Sequence, residues 1–108
     1  MTRPRSTTDA RFAFDVLRAA TPTLVDFYAD WCRSCQQLDP VVDELAQEWG
    51  DRVRIVKLDV EANPHTADRY GVKSIPTLIL FDGGQERDWM VNVIRRQPIE
   101  DRLGALVS

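Results

Sequence analysis

The sequence predicts a single α/β domain, in which apolar strands alternate with amphipathic helices. Residues 24–29 have the length and the β-branched and aromatic content of a buried strand, residues 36–49 have the period of an amphipathic helix, and residues 52–60 end in a second apolar run. A strand, a helix and a strand in this order indicate a right-handed parallel crossover. The turn signal at residues 82–85 predicts an antiparallel hairpin between two further strands.

The N-terminal segment shows no pattern of a strand. Residues 1–8 are polar and without alternation, so we expect a flexible tail there and a folded domain over residues 9–108. A first helix is predicted from near Asp9, because apolar residues recur at helical spacing up to the proline at position 22.

The later elements are marked by local start and stop signals. A proline at the first helical position and a glycine at the end delimit a short helix, and a second proline begins the last one. In order, the elements are a helix between Asn63-Pro64 and Tyr70-Gly71, strands over residues 77–81 and about 86–93, and a final helix from Pro98.

Composition excludes several classes of protein. A chain of 108 residues is one domain, and 44% hydrophobic with 29% charged residues is ordinary for a globular protein. The formal charge of -3, with no basic run between aromatics, argues against nucleic-acid binding. No run approaches the roughly 18 apolar residues of a membrane span, and no apolar stretch follows Arg3 and Arg5 to form a secretory signal. We therefore expect a cytoplasmic protein with no membrane association.

Both cysteines of the chain lie in the segment Trp31-Cys32-Arg33-Ser34-Cys35, between a predicted strand and a predicted helix. Two intervening residues let the sulfurs of one helical turn come within bonding distance. The free N–H groups and the dipole at the start of the helix favour a thiolate on Cys32. This arrangement indicates a dithiol–disulfide couple, with Cys32 as the attacking thiolate and Cys35 as the resolving thiol.

Two other interpretations of the cysteine pair are open. Half of a zinc site would require two more soft or imidazole ligands, and His65 is the only histidine. Cysteines that merely fill the core would not be expected at this spacing at the start of a helix. The strand–helix–strand context favours the redox couple.

Asp26 and Lys57 each interrupt an apolar strand, where a charge is costly unless it is paired, solvated or neutralised. If the two strands pair in parallel, both side chains lie under the cysteine turn and burial raises the pKa of Asp26. Asp26 could then take the proton from Cys35, through water. Alternatively, both side chains point to solvent from a half-exposed sheet, and these residues alone leave both possibilities open.

Together these features resemble the thioredoxin family from about Thr8 to the C-terminus. The matching segments are residues 25–32, Cys35, Pro40, residues 57–59, 63–64, 70–72 and 75–78. The resemblance implies the thioredoxin fold, a central mixed β-sheet flanked by helices. It also implies a cis peptide bond at Pro76 beside the cysteines, although a proline bond taken alone is usually trans. Ile75 would offer backbone hydrogen bonds to a client peptide, and Asp26 and Lys57 would form a buried functional pair.

The activity implied by the resemblance is reduction of disulfides in client proteins. Cys35 would resolve the mixed disulfide, with Asp26 as base and Lys57 tuning it. The client would dock on Trp31, Ile75 and Pro76, bordered by Arg33 and Ser34. A thioredoxin reductase would return electrons from NADPH, and the chain itself, a monomer, would bind no cofactor or metal. The alternatives are a more oxidising oxidase or isomerase, and a non-catalytic binding module with the same fold.

Three departures from the family pattern carry expectations of their own. Arg33 and Ser34 replace the usual Gly-Pro between the cysteines, and a guanidinium beside Cys32 would favour the thiolate. We expect a reduction potential above the roughly -270 mV of thioredoxin, unless Arg33 points into solvent and is screened. Asn92 and residues 94–96 replace a glycine-containing turn, which would narrow the client groove. The first strand of the family is expected to be short or absent, because residues 2–7 lack apolar side chains.

Overall fold

Five strands form one mixed β-sheet in residues 3–107, the part of the chain that this computed structural model describes. They are β1 (Arg5–Ser6), β2 (Thr23–Tyr28), β3 (Arg54–Asp59), β4 (Thr77–Asp82) and β5 (Gln85–Val91), and they lie side by side in the order β1-β3-β2-β4-β5. Strands β1 and β2 run parallel to β3, while β4 is antiparallel to both β2 and β5. The predicted parallel crossover, the hairpin and the central mixed sheet are confirmed.

Among the described residues, three α-helices flank the sheet: α1 (Arg33–Trp49), α2 (Pro64–Arg69) and α3 (Arg96–Val107). The helix predicted from near Asp9 to Pro22 is wrong in its extent, because only a π-helical segment, Ala13–Leu17, forms there. The Arg18 N–H closes this wider turn on the Ala13 carbonyl at 2.9 Å. No helix within residues 3–107 is both long enough and apolar enough to cross a membrane.

The first strand is short rather than absent. Arg5 and Ser6 pair with β3, and the N–H of Thr7 donates to the Lys57 carbonyl at 2.9 Å. Thr7 is buried, and its hydroxyl donates to Asp15 at 2.8 Å. Backbone pairing and a buried polar contact thus replace the apolar residues that the sequence lacks. Part of the segment predicted as a tail therefore belongs to the sheet, which begins before the predicted domain boundary at residue 9. Residues 1 and 2 of that segment lie outside the described residues.

The sheet separates two hydrophobic cores. Successive strand residues point to opposite faces. In β2, β3 and β4, alternate residues therefore pack under α1 and α3, and the residues between them pack under α2 and the π-helical segment. The first core contains Leu24, Leu38, Val42, Leu45, Ile55, Leu78, Leu80, Ile99 and Leu103. The second contains Phe12, Val16, Val25, Phe27, Val56, Leu58, Ala67, Ile79 and Phe81. Because α1 is anchored along its length, its first turn is held firmly beyond the carboxyl end of β2.

Candidate active site

The two cysteines lie at the junction of β2 and α1, as the sequence predicts. Cys32 is the N-cap of α1, with the extended backbone (φ -81°, ψ 115°) that is typical of this position. Its sulfur accepts a hydrogen bond from the backbone N–H of Cys35 at 3.2 Å. The sulfur thus takes the place of the side-chain oxygen that usually caps a helix, which favours negative charge on Cys32.

A hydroxyl group also faces the Cys32 sulfur. Ser34 Oγ lies 3.5 Å from Cys32 Sγ, whereas the exposed side chain of Arg33 makes no hydrogen bond or ion pair with any residue in 3–107. Burial opposes ionisation of Cys32, but hydrogen bonds from Cys35 and Ser34 outweigh it and lower the pKa of the thiol. Sequence reasoning named Ser34 only as a docking residue; a hydroxyl two positions after an N-cap cysteine was the signal for this contact.

Cys35 has the opposite electrostatic character. Burial raises the pKa of its thiol to about 12, helped by the neighbouring Cys32 and by Asp26 and opposed by a hydrogen bond with the Ala29 backbone. Only 2% of the residue is exposed. At neutral pH the pair is therefore one ionisable nucleophile and one protonated thiol, and Cys35 needs a proton acceptor before it can attack.

Asp26 is the buried acid whose charge acts on Cys35, so it is the candidate for that acceptor. It is 1% exposed, and its Oδ1 has no hydrogen-bond partner within residues 3–107. Burial raises the pKa of Asp26 to about 7; the charge of Lys57 lowers it and that of Asp39 raises it. The alternative in which Asp26 points to solvent is therefore wrong.

Lys57 lies opposite Asp26 in the register of β2 and β3, but its amine binds a different carboxylate, that of Asp39. Its Nζ donates to Asp39 Oδ1 at 2.8 Å and lies 4.5 Å from the ring centroid of Tyr28. Burial lowers the pKa of Lys57, but this bond outweighs it and leaves the pKa raised. Asp39 was not anticipated from the sequence, although it follows Cys35 by four residues and so shares one face of α1.

The loops opposite the cysteines bring the remaining predicted residues together. The Ile75–Pro76 peptide bond is cis, and the Ile75 carbonyl lies 3.8 Å from Cys32 Sγ. The N–H of Asn92 donates to the Pro76 carbonyl at 2.9 Å, and Asn92 itself has φ 59°, in the left-handed region. Trp31 is 67% exposed next to the cysteine turn. The Cys32 sulfur therefore faces a backbone carbonyl and has an exposed aromatic ring beside it.

The zinc alternative finds no support in this geometry. Within the described part of the chain, no group of three or more His, Cys, Asp or Glu residues is placed to hold a metal ion. His65 is exposed on α2, where its backbone N–H donates to Asp9 at 3.1 Å.

Comparison with known proteins decides the family. The family model for thioredoxin matches residues 3–105. The chain belongs to the thioredoxin family. Thioredoxin from Synechocystis sp. is 45% identical over 95 residues, which cover 88% of this chain and 89% of that protein. Thioredoxin 1 from Nostoc sp. is 40% identical over 103 residues (95% and 96%), and thioredoxin from Rickettsia typhi is 38% identical over 94 residues (87% and 90%).

Membership in the thioredoxin family gives the cysteine pair its chemistry. Cys32 and Cys35 have the spacing of the family's redox pair, and the chain is a thiol–disulfide oxidoreductase that acts as a disulfide reductase. The fold and the reductase activity that the sequence predicted are confirmed. The mixed sheet positions the site, because Asp26 lies within β2 and Cys32 lies in the turn that follows the end of this strand.

The contact of Ser34 with Cys32 distinguishes this site from a thioredoxin with Gly-Pro between its cysteines. We expect Ser34→Ala to slow alkylation of Cys32 below neutral pH, by up to roughly tenfold, because a hydrogen bond to a charged group contributes about 1.5 kcal/mol. Arg33→Gln should have a much smaller effect. The measurement is the pH profile of iodoacetamide labelling of each reduced variant. The reverse order of effects would instead favour the guanidinium as the group that stabilises the thiolate.

Proposed function

We propose that the chain is a cytoplasmic, monomeric reductase of client protein disulfides, in which Cys32 is the nucleophile and Cys35 the resolving thiol. One observation carries the proposal: two thiols in one turn of α1 have pKa values shifted in opposite directions. In such a pair Cys32 is the reactive thiolate, and Cys35 stays protonated until the second step. Because the active form is a dithiol, the chain must work in a compartment that regenerates it.

The reaction proceeds in two steps, and each step forms one sulfur–sulfur bond and breaks another. The Cys32 thiolate attacks a client disulfide, forms a mixed disulfide and releases the first client sulfur as a thiolate. Cys35 then loses its proton and attacks Cys32 Sγ, which releases the second client sulfur. The products are a Cys32–Cys35 disulfide and a client dithiol, so two electrons pass to the client. We propose that a thioredoxin reductase, with electrons from NADPH, restores the dithiol, and that the chain binds no cofactor or metal.

Asp26 is proposed as the base for Cys35. With a pKa of about 7, Asp26 can accept a proton in one half of the cycle and return it in the other. Lys57 is proposed to tune this group from the neighbouring strand, while its own position is maintained by the bond to Asp39. The role of Lys57 is therefore electrostatic, since its amine is engaged by another carboxylate.

The proposed client surface surrounds Cys32, of which only 5% is exposed. Trp31 offers an exposed aromatic ring, and Ile75 and Pro76 present backbone beside the nucleophilic sulfur. An extended client peptide could pair with this backbone as an added strand. Arg33 and Ser34 border the surface at the start of α1.

Asn92 is proposed to narrow this surface and to restrict the range of clients. We expect Asn92→Gly to increase turnover of several unrelated protein disulfides, since it removes a side chain next to Pro76. The variant should fold normally, because φ 59° is a conformation that glycine adopts without steric cost. Steady-state rates with a panel of disulfide proteins test this. Unchanged rates across the panel would show that Asn92 does not select clients.

A more oxidising couple is the second candidate, and the lowered pKa of Cys32 favours it. Stabilising the thiolate stabilises the reduced form, so we expect a reduction potential above roughly -270 mV. Equilibration with glutathione measures the potential, and the paired change Arg33→Gly and Ser34→Pro, which restores the family pattern, should lower it. A wild-type value at or below roughly -270 mV would remove the oxidase or isomerase candidate.

A coupled assay tests the proposed function as a whole. The chain is mixed with NADPH, a bacterial thioredoxin reductase and insulin, and oxidation of NADPH is followed together with precipitation of the reduced insulin. We expect both signals to depend on the chain. If insulin is reduced when dithiothreitol replaces the enzyme but NADPH is not oxidised, the proposed reductase partner is wrong; if neither system reduces insulin, the proposed client chemistry is wrong.

A further inference from the structure

Arginine side chains cluster at the β1 edge of the sheet, far from the cysteines. Arg54 is the first residue of β3, whereas Cys32 follows the carboxyl end of β2. Because β2 and β3 are parallel, these two positions lie at opposite ends of the sheet. The function of the cysteine pair therefore does not account for the arginine cluster.

The register of β1 explains how the cluster forms. Arg5 lies opposite Val56, and Arg54 precedes Val56 by two residues, so Arg5 and Arg54 share one face of the sheet. The same register continued by two residues would set Arg3 across from Arg54. Two adjoining clefts, of about 260 and 380 Å³, are both lined by Arg5 and Arg54. Arg3 lines the first cleft and Arg11 the second.

The positive charge of the cluster is compensated only in part within the described chain, by the carboxylate of Asp15, which lies close enough to Arg54 for their charges to interact. Arg3, Arg5 and Arg54 form no ion pair with any residue in 3–107. The acid in the second cleft, Asp15, is already engaged by Arg11 at 3.1 Å and by the Thr7 hydroxyl. Like charges on neighbouring strands repel one another, so this arrangement costs stability unless an anion joins it.

We propose that the two clefts bind an oligophosphate, a ligand with two or more linked phosphate groups. A guanidinium is always charged, and its planar fork matches the paired oxygens of a phosphate or of a carboxylate. Linked phosphates carry several such oxygen pairs and several charges, so one ligand can engage more than one arginine, which a single carboxylate or a chloride ion cannot do. Two clefts that share Arg5 and Arg54 suit successive phosphates of one ligand. The chain as a whole carries a charge of -3, so attraction of a polyanion must come from this local cluster.

The phosphate groups, rather than any attached nucleoside, should carry the recognition. The apolar residues that line the clefts, Ile55 and Val56, are themselves buried and offer little surface for a base to stack on. Inorganic triphosphate and ATP are therefore expected to bind with similar affinity. Inorganic monophosphate should bind much more weakly, because it can occupy only one cleft.

Titration of the whole ¹⁵N-labelled chain with inorganic triphosphate, ATP and monophosphate tests the proposal. Amide shifts should be confined to residues 3–7, 11–15 and 50–56, which include the residues that line the two clefts. The double change Arg5→Gln and Arg54→Gln should weaken triphosphate binding by at least about tenfold. Arg87→Gln is the matched control, since Arg87 is an exposed arginine on β5; it should leave affinity unchanged within about twofold. All variants should reduce insulin at the wild-type rate, which shows that they fold.

The titration distinguishes the possible sources of the phosphates and also gives the results that would overturn the proposal. Tighter binding of ATP than of inorganic triphosphate would identify a nucleotide as the source of the phosphates, and equal binding would identify the oligophosphate alone. Absence of binding at millimolar triphosphate would overturn the proposal, as would equal weakening by Arg87→Gln, which would indicate general electrostatics. Binding of a polyglutamate peptide that triphosphate does not displace would also overturn it, and would assign the edge to a protein partner.

Discussion

Replacing Cys32 with serine is expected to abolish reduction of insulin, while replacing Cys35 with serine should leave the first attack intact and stop the cycle there. The reason lies in the two environments: the Cys32 sulfur caps α1 and is stabilised as a thiolate, and a serine hydroxyl in its place would remain protonated. Cys35 is buried and protonated, so it contributes only after the mixed disulfide has formed.

Mass spectrometry distinguishes the two variants. With Cys35→Ser, we expect about one client molecule to be covalently attached to each chain, and turnover to fall to background because the second displacement has no thiol. With Cys32→Ser, neither turnover nor adduct is expected. If Cys32→Ser and the wild type reduced insulin equally, or if neither did, the chain would be better described as a non-catalytic binding module.

The stability of the reduced chain is expected to fall as pH rises, because of Asp26. The pKa of Asp26 is about 7 in the folded chain and 3.8 as its ordinary value, so the folded state holds a proton that the unfolded state releases. The favourable contribution is complete below pH 3.8 and is lost as pH rises through about 7. The loss is about 1.4 kcal/mol per pH unit up to pH 7 and levels off above it, so between pH 5 and pH 8 it amounts to about 3 kcal/mol.

Urea unfolding of the wild type and of Asp26→Ala at pH 5 and pH 8 measures this contribution. The loss of unfolding free energy between pH 5 and pH 8 should be absent in Asp26→Ala. The substitution leaves a cavity that also lowers stability, but this cost is the same at both pH values. Asp43→Asn, at an exposed position on α1, is the matched control and should follow the wild type. An equal loss in Asp26→Ala would mean that another group titrates in this range.

The same substitution should slow catalysis at its second step. Without a base near Cys35, release of the mixed disulfide is expected to slow by about 10²-fold, whereas the first attack by Cys32 should be nearly unaffected. Quenched-flow sampling followed by alkylation would show the intermediate accumulating in Asp26→Ala. A loss confined to the first attack would place Asp26 in the activation of Cys32 instead.

Short-range features of this chain could be predicted because they depend on neighbours in sequence. The cysteine turn needs only two residues between the sulfurs and a helix that begins there, and the hairpin needs only Gly83 and Gly84, which both adopt positive φ. The crossover follows from the order of the elements. Resemblance to thioredoxin added the cis bond at Pro76, which local preference alone would have made trans.

The sequence by itself determined the α/β class, the order of the elements and the redox pair, since periodicity, turn residues and a two-residue spacing encode them locally. Only the tertiary structure decided that the amine of Lys57 is bound by Asp39, that Arg5 and Ser6 complete the sheet, and that Arg5 and Arg54 converge. The physical reason is that these relations join residues 18 to about 50 positions apart, where strand register and helix packing, rather than local preference, set which side chains meet.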